Sequence, residues 1–206
     1  MPNHGVFVRQ AATSVSTPNV AECGIPFVIG TAPVQSAENP AGASVPVLCT
    51  SWAEAVEKLG YSNDWSKYSL CEMMYAHFKL FGCQPIICCN LLDPAKMSEA
   101  VAAADIDVVN HQVKLSIDAI DDASLVVKAA GGTGAAYTKG TDYTVDYVDE
   151  SMVIELLSGC AGYSSAKVNI AYKKITTTSI NAAAIVAGLE NIELCMTTLG
   201  IVPDLI

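Results

Sequence analysis

Ile25-Pro26-Phe27-Val28-Ile29-Gly30 is an unbroken apolar run that stops on glycine. Such a run suits a strand buried on both faces, as in a parallel sheet. Downstream, residues 33–46 are rich in Pro, Ala and Ser and read as a loop, and Val47-Leu48-Cys49 is a second short apolar run. Ser51 is placed to cap a helix over Trp52–Leu59, with Glu54 three residues on and Gly60 as the stop. A further helix is expected over Ser69–Phe81, with Leu70, Met73, Met74, His77, Leu80 and Phe81 on one face and Gly82 as its end. Then come a strand over Pro85–Leu91 and a helix over Ala95–Ala104. Strands alternating with helices predict a layered α/β unit.

From about residue 111 the period changes. Val113–Ile117, Leu125–Val127, Tyr143–Val148, Met152–Leu156 and Lys167–Tyr172 are short segments, several of them alternating apolar with polar, separated by turn material. They predict an antiparallel unit, a small sandwich or barrel. Helical spacing returns over Ser179–Leu199 and ends at Gly200, and Ile201–Ile206 is apolar and strand-like. A strand after a glycine stop should be followed by another element, so the sequence reads as the front part of a longer protein. The predicted architecture is α/β: a layered core (23–108 and 176–206), an inserted antiparallel all-β domain (109–175) and an extended N-terminal arm (1–22).

In that arm, His4–Gln10 reads as a short strand, and Ala11–Val20 is small, polar and broken by Pro18. A strand on a tether can add to the sheet edge of another chain by main-chain hydrogen bonds. Repeated on every copy, such a head-to-tail contact closes into rings or runs on as a helical filament.

Bulk properties remove several classes. Hydrophobic residues make up 51% of the 206 and charged ones 16%, enough for a core and against a disordered chain. A formal net charge of −10 disfavours nucleic acid as a partner. No apolar run approaches the ~18–20 residues of a membrane span, and Met1–Gly5 has no signal-peptide character. Direct membrane insertion is therefore not expected.

Chemistry is thin. The eight cysteines lack a paired C-x-x-C. Cys88 and Cys89 are adjacent on a strand and should point to opposite faces, so they read as reduced core residues and not as metal ligands. Gly131-Gly132-Thr133-Gly134 looks like a phosphate loop, but no helix follows it; a hairpin loop fits better. Asp118, Asp121, Asp122, Asp142, Asp146, Asp149 and Glu150 miss calcium-loop spacing and read as a solvated acidic face. His77 sits on an apolar helical face, His4 and His111 begin strands, and no nucleophile stands at a recognisable spacing from any of them. No catalytic, cofactor or metal residues are assigned, and no enzyme is expected.

Taken together, several segments resemble phage contractile tail sheath proteins. These are His4-Gly5-Val6-Phe7-Val8 with its small polar sequel, Ile25–Pro33, Asp142-Tyr143-Thr144-Val145, and Gly188-Leu189-Glu190 followed by Leu199–Ile206. The resemblance implies a subunit that stacks as hexameric rings in a helical lattice around an inner tail tube protein. It implies baseplate and tail terminator partners, and contraction that drives the tube through a target envelope. Val6, Phe7 and Val8 would then be the strand exchanged between subunits, and Ala11–Val20 its hinge. The location implied is the virion tail of a phage or phage-like injection system, assembled in the bacterial host cytoplasm. Two alternatives stand beside it. One is an α/β enzyme with polar residues at the strand ends after Gly30, Asn90 and Ile206; the other is a receptor-binding module that uses the β insertion.

Overall fold

The computed structural model describes residues 24–204. Strands β1 (Phe27–Gly30), β2 (Pro46–Cys49) and β3 (Ile86–Asn90) form a sheet in the order β1-β3-β2. β1 runs parallel to β3, and β2 runs antiparallel to it. Every residue of β3 is buried. Ile86 and Cys88 enter a core with Leu59, Leu70 and Met74, whereas Ile87 and Cys89 enter a second core with Phe27 and Cys195. The two adjacent thiols thus face opposite ways, as strand alternation requires.

Helix α1 (Trp52–Leu59) is capped by Ser51, whose hydroxyl accepts the Glu54 N–H at 3.2 Å. The Glu54 carboxylate accepts from Lys58 at 2.6 Å and from the N–H and hydroxyl of Thr50 at 2.8 and 2.7 Å. Lys58 first and Thr50 second hold that carboxyl down to about 2. Gly60 ends the helix at φ 72°, and a Cβ there would sit 2.3 Å from the Pro33 carbonyl oxygen. Helix α2 (Ser69–Tyr75) is shorter than the helix expected over 69–81, because Ala76–Phe81 widens into a π-helical turn. The wider turn changes the phase of the helix. Phe78 is buried, while Leu80 and Phe81, expected on the core face, are 62% and 74% exposed.

The helix expected over 95–104 is absent. Its residues belong to β4 (Ser98–Asp107), which pairs antiparallel with β10 (Lys167–Ile175) along its whole length, with one bulge between Ile170 and Tyr172. Alanine's helix preference is a weak prior, and ladder pairing outweighs it here. β5 (Gln112–Ser116), β8 (Tyr143–Val148) and β9 (Ser151–Leu156) form a sheet in the order β5-β9-β8. β6 (Ala119–Ile120) and β7 (Val126–Ala129) join β4 and β10 in another. Val113, Met152 and Ile154 from one sheet and Val127, Val168 and Ile170 from the other share a single core. His111 does not begin a strand: Asn110 and His111, at φ 52° and 63°, form the two-residue turn between β4 and β5.

The three sheets meet at a polar junction. Asp118 accepts the hydroxyl of the fully buried Tyr68 at 2.7 Å and pairs with Lys67 at 2.7 Å. Gln35 donates to the Ile117 carbonyl at 2.9 Å. Glu150 accepts from the Asn63 N–H at 2.6 Å and from the Ser62 hydroxyl at 3.2 Å.

The pattern over 179–199 becomes two helices, α3 (Ala182–Glu190) and α4 (Leu194–Leu199), joined by a 3-10 turn at Asn191–Glu193. Asn181 caps α3 and Gly200 ends α4 in a left-handed conformation. Gly188 lets α3 approach the sheet, since a Cβ there would lie 2.5 Å from Leu91 Cδ2. No strand forms over 201–204; instead Asp204 folds against Ile25, donating its N–H to the Ile25 carbonyl at 3.0 Å.

Two stability outcomes follow from this packing. Asp118→Ala strands the Tyr68 hydroxyl and the Lys67 ammonium, so urea unfolding should lose about 1–3 kcal/mol; a loss under about 0.5 would show that the junction is not cooperative. Gly188→Ala gains up to about 1 kcal/mol of helix propensity. It also forces a methyl against buried Leu91, so the expected net change is a destabilisation of about 1–2 kcal/mol. A stabilised variant would mean that α3 is free to lift off the sheet.

Candidate assembly surface

Free main-chain edges come first. Ile87 and Leu91 donate their N–H groups to the Pro26 and Gly30 carbonyls at 2.9 and 2.8 Å. By alternation, the main-chain groups of Phe27 and Ile29 point away from β3, toward the edge of β1 that pairs with no other strand among the described residues. Asp204 takes the first position on that edge: besides its N–H bond, its carboxylate accepts the Ile25 N–H at 3.2 Å. At the other edge, the same alternation aims Ile86 and Cys88 at β2, where they oppose Cys49 and Val47. Leu48 therefore turns its N–H and C=O outward. A groove of about 530 Å³ runs beside this edge, lined by Pro40, Ala41, Val45, Pro46, Leu48 and Leu199.

The second feature is helical. The α3–α4 stretch, Ala182–Leu199, is 18 residues long, and only 11% of it is buried. By length and composition it is apolar enough to cross a membrane, which corrects the expectation of no such run. Asn191 and Glu193 interrupt it at the 3-10 turn, with Glu190 just before. Cys195, Ile192 and Leu199 pack inward on the sheet. Ile185, Val186, Leu194 and Met196 are exposed, at 43%, 58%, 41% and 60%. These apolar side chains make this face of the helix pair a candidate contact surface.

The residues considered for chemistry are dispersed or already engaged. Gly131–Gly134 is not a hairpin turn: it links β7 to β8, which lie in different sheets. The Gly131 N–H that could face an anion donates to both Asp105 oxygens, at 2.8 and 3.0 Å. Asn169 and that N–H hold the Asp105 carboxyl below its usual range. Asp121 pairs with Lys139 and Asp122 with Lys173, while Asp142 accepts the Thr138 N–H. His111 stacks on Tyr163 at 3.9 Å, its Nδ1 2.8 Å from the Tyr163 carbonyl oxygen. His77 Nδ1 has no hydrogen-bond partner among the described residues. The seven described cysteines are free thiols, and burial pushes Cys71 up to about 12 and Cys89 up to about 11. At the strand ends, Asn90 ties down Ala32 and Leu92, and the Thr31 hydroxyl donates to the Lys67 carbonyl. Among the described residues, no group of three potential metal-ligating side chains comes together. Val6, Phe7, Val8 and His4 lie outside the described residues.

No family model matches the chain, and no solved structure does. One curated relative does: the tail sheath protein of Burkholderia phage BcepMu, 27% identical over 194 residues. This chain is similar to a phage tail sheath protein. The match covers 91% of this chain and 38% of that relative, so the chain spans about two fifths of its length.

Sequence periodicity found the helix but not its bareness, because alanine-rich spacing reads the same whether a face is covered or open. If the α3 face is open in the free chain, Val186→Asp should change urea stability by less than about 0.5 kcal/mol. The same change should reduce binding of an apolar fluorescent dye. A loss above 1 kcal/mol would show that Val186 is packed.

Proposed function

We propose that the chain is a structural subunit of a phage contractile tail sheath, or of a related phage-like injection system, and not an enzyme. The similarity to the BcepMu sheath protein over 91% of the chain carries this reading. Two features of the fold support it. Edges of β1 and β2 that have no strand partner among the described residues, and an exposed apolar helix pair, suit a protein whose surfaces are completed by other chain segments. The polar groups at the strand ends are spent on holding loops, which fits a scaffold better than a catalytic cleft.

On this reading the subunit forms hexameric rings stacked helically around an inner tail tube. Baseplate and terminator proteins close the two ends, and the lattice shortens to drive the tube through an envelope. Val6, Phe7 and Val8 form the exchanged strand, with Ala11–Val20 as hinge. Assembly takes place in the host cytoplasm and the product is the virion tail. We further propose a layered α/β core with an inserted β unit whose lower boundary lies at Ser98, because β4 pairs with β10.

Electron microscopy of the protein made from its complete native reading frame tests the proposal. Striated hollow tubes or stacked rings are expected. Deleting residues 1–20 from that protein should leave a folded subunit that does not polymerise. Normal tubes from the deletion would remove the strand-exchange role from Val6–Val8, and a reading frame yielding only monomers would remove the sheath reading itself.

A further inference from the structure

Two cysteines on neighbouring strands share one face of the first sheet. Cys49 ends β2 and pairs with Ile86, while Val47 pairs with Cys88. Cys49 and Cys88 are therefore diagonal neighbours on the face that enters the core beneath α1 and α2. The Cys49 sulfur lies 3.9 Å from the Val47 carbonyl oxygen, so it leans back along β2 toward the pair that contains Cys88. There the two thiols meet as hydrogen-bond partners. Both residues are fully buried.

The pair is polarised. Cys88 donates to Cys49 and draws the Cys49 thiol below its usual range, against burial and Glu54, with Lys58 adding to the pull. The same bond, reinforced by burial, lifts the Cys88 thiol. One thiol that ionises readily beside one that does not is the division of roles between an attacking and a resolving cysteine.

Burial keeps a thiol inert unless something near it moves. β2 has four residues, its one strand partner among the described residues is β3, and Cys49 is followed directly by exposed Thr50. An edge strand this short opens far more readily than the domain as a whole. It can also make the small shift that a diagonal bond requires.

We propose that Cys49 and Cys88 form a redox site, at which exchange with a small-molecule disulfide creates a Cys49–Cys88 bond that staples edge strand β2 to buried β3. Cys49, as its thiolate, attacks one sulfur of the reagent. The reagent's S–S bond breaks, and the departing thiolate takes up the proton that Cys49 lost. Cys88, as its thiolate, then attacks the Cys49 sulfur of the mixed disulfide. The second thiolate leaves and takes up the Cys88 proton. Two protein thiols are oxidised, and one small disulfide is reduced to two thiols. The new bond closes a loop of about 40 residues, which restricts the unfolded chain and so stabilises the folded one. A reducing compartment keeps the pair open and an oxidising one closes it. The site stands on the register of the sheet and does not depend on the sheath reading.

The test uses the full chain with half-buried Cys83, and Cys23 from outside the described residues, both changed to serine. It is incubated with excess oxidised glutathione without denaturant. The remaining thiols are then alkylated in urea and counted by intact mass. Two thiols should be lost with no glutathione mass gained, and peptide mapping should join Cys49 to Cys88. Cys88→Ala should instead retain one glutathione on Cys49. Cys49→Ala should take up at least about fivefold less, because the thiol it keeps is the less ionised one. The linked chain should melt about 5–10 °C above the reduced one, and dithiothreitol should reverse the shift. A chain that keeps all its thiols, a link between any other two cysteines, or a link formed only after unfolding in urea would overturn the site. Peptide mapping of the unsubstituted chain decides this even where a substitution disturbs folding. Greater uptake in Cys49→Ala than in Cys88→Ala would overturn the attacking role of Cys49. A linked chain that melts no higher than the reduced one would overturn the staple.

Discussion

β3 must be covered on both faces, and the rest of the α/β layer answers to that requirement. Its five residues are buried without exception, and they alternate between two cores. One face is closed by α1 and α2, which come from the sequence between β2 and β3. The other is closed by α3 and α4, which arrive only after the chain has passed through two further sheets. Gly188 marks how tightly that second cover sits, since a methyl group there would have to displace the end of the Leu91 side chain.

Legibility followed the strength of local signals. Ser51, Glu54 and Gly60 bracket α1 as their chemistry predicts. The alternation over Tyr143–Val148 and Met152–Leu156 is a register that one hydrophobic face enforces, and the observed pairs respect it. The adjacent thiols of Cys88 and Cys89 could be assigned to opposite cores from the strand period alone. β4 was illegible for the opposite reason: its alanines favour helix, and what makes it a strand is β10, some seventy residues downstream. β6 has two residues and no pattern of its own. The phase of Leu80 and Phe81 depended on a π turn that no residue type announces.

The candidate surface was only partly readable. The open edges could be inferred as a principle, but which main-chain groups face outward needed the direction of the Ile87 and Leu91 bonds. The exposure of α3 was hidden because an apolar helix ordinarily packs on something. The acidic residues read as a solvated face, and the structure sets two of them to joining the sheets. Asp118 joins the sheets through Tyr68 and Lys67, and Glu150 fastens the β8–β9 turn to the loop after α1.

The late arrival of α4 has a consequence for synthesis. Cys195 closes a core whose other members, Ile87, Cys89 and Leu91, leave the ribosome about a hundred residues earlier, and Phe27 earlier still. At about 5–20 residues per second, that half of the sheet waits roughly 5–20 s with its apolar face bare. The intervening sheets pair mainly among themselves and can form in that interval. The nascent chain therefore carries a half-covered sheet while the two following sheets are being made, and chaperone demand should be concentrated in that window.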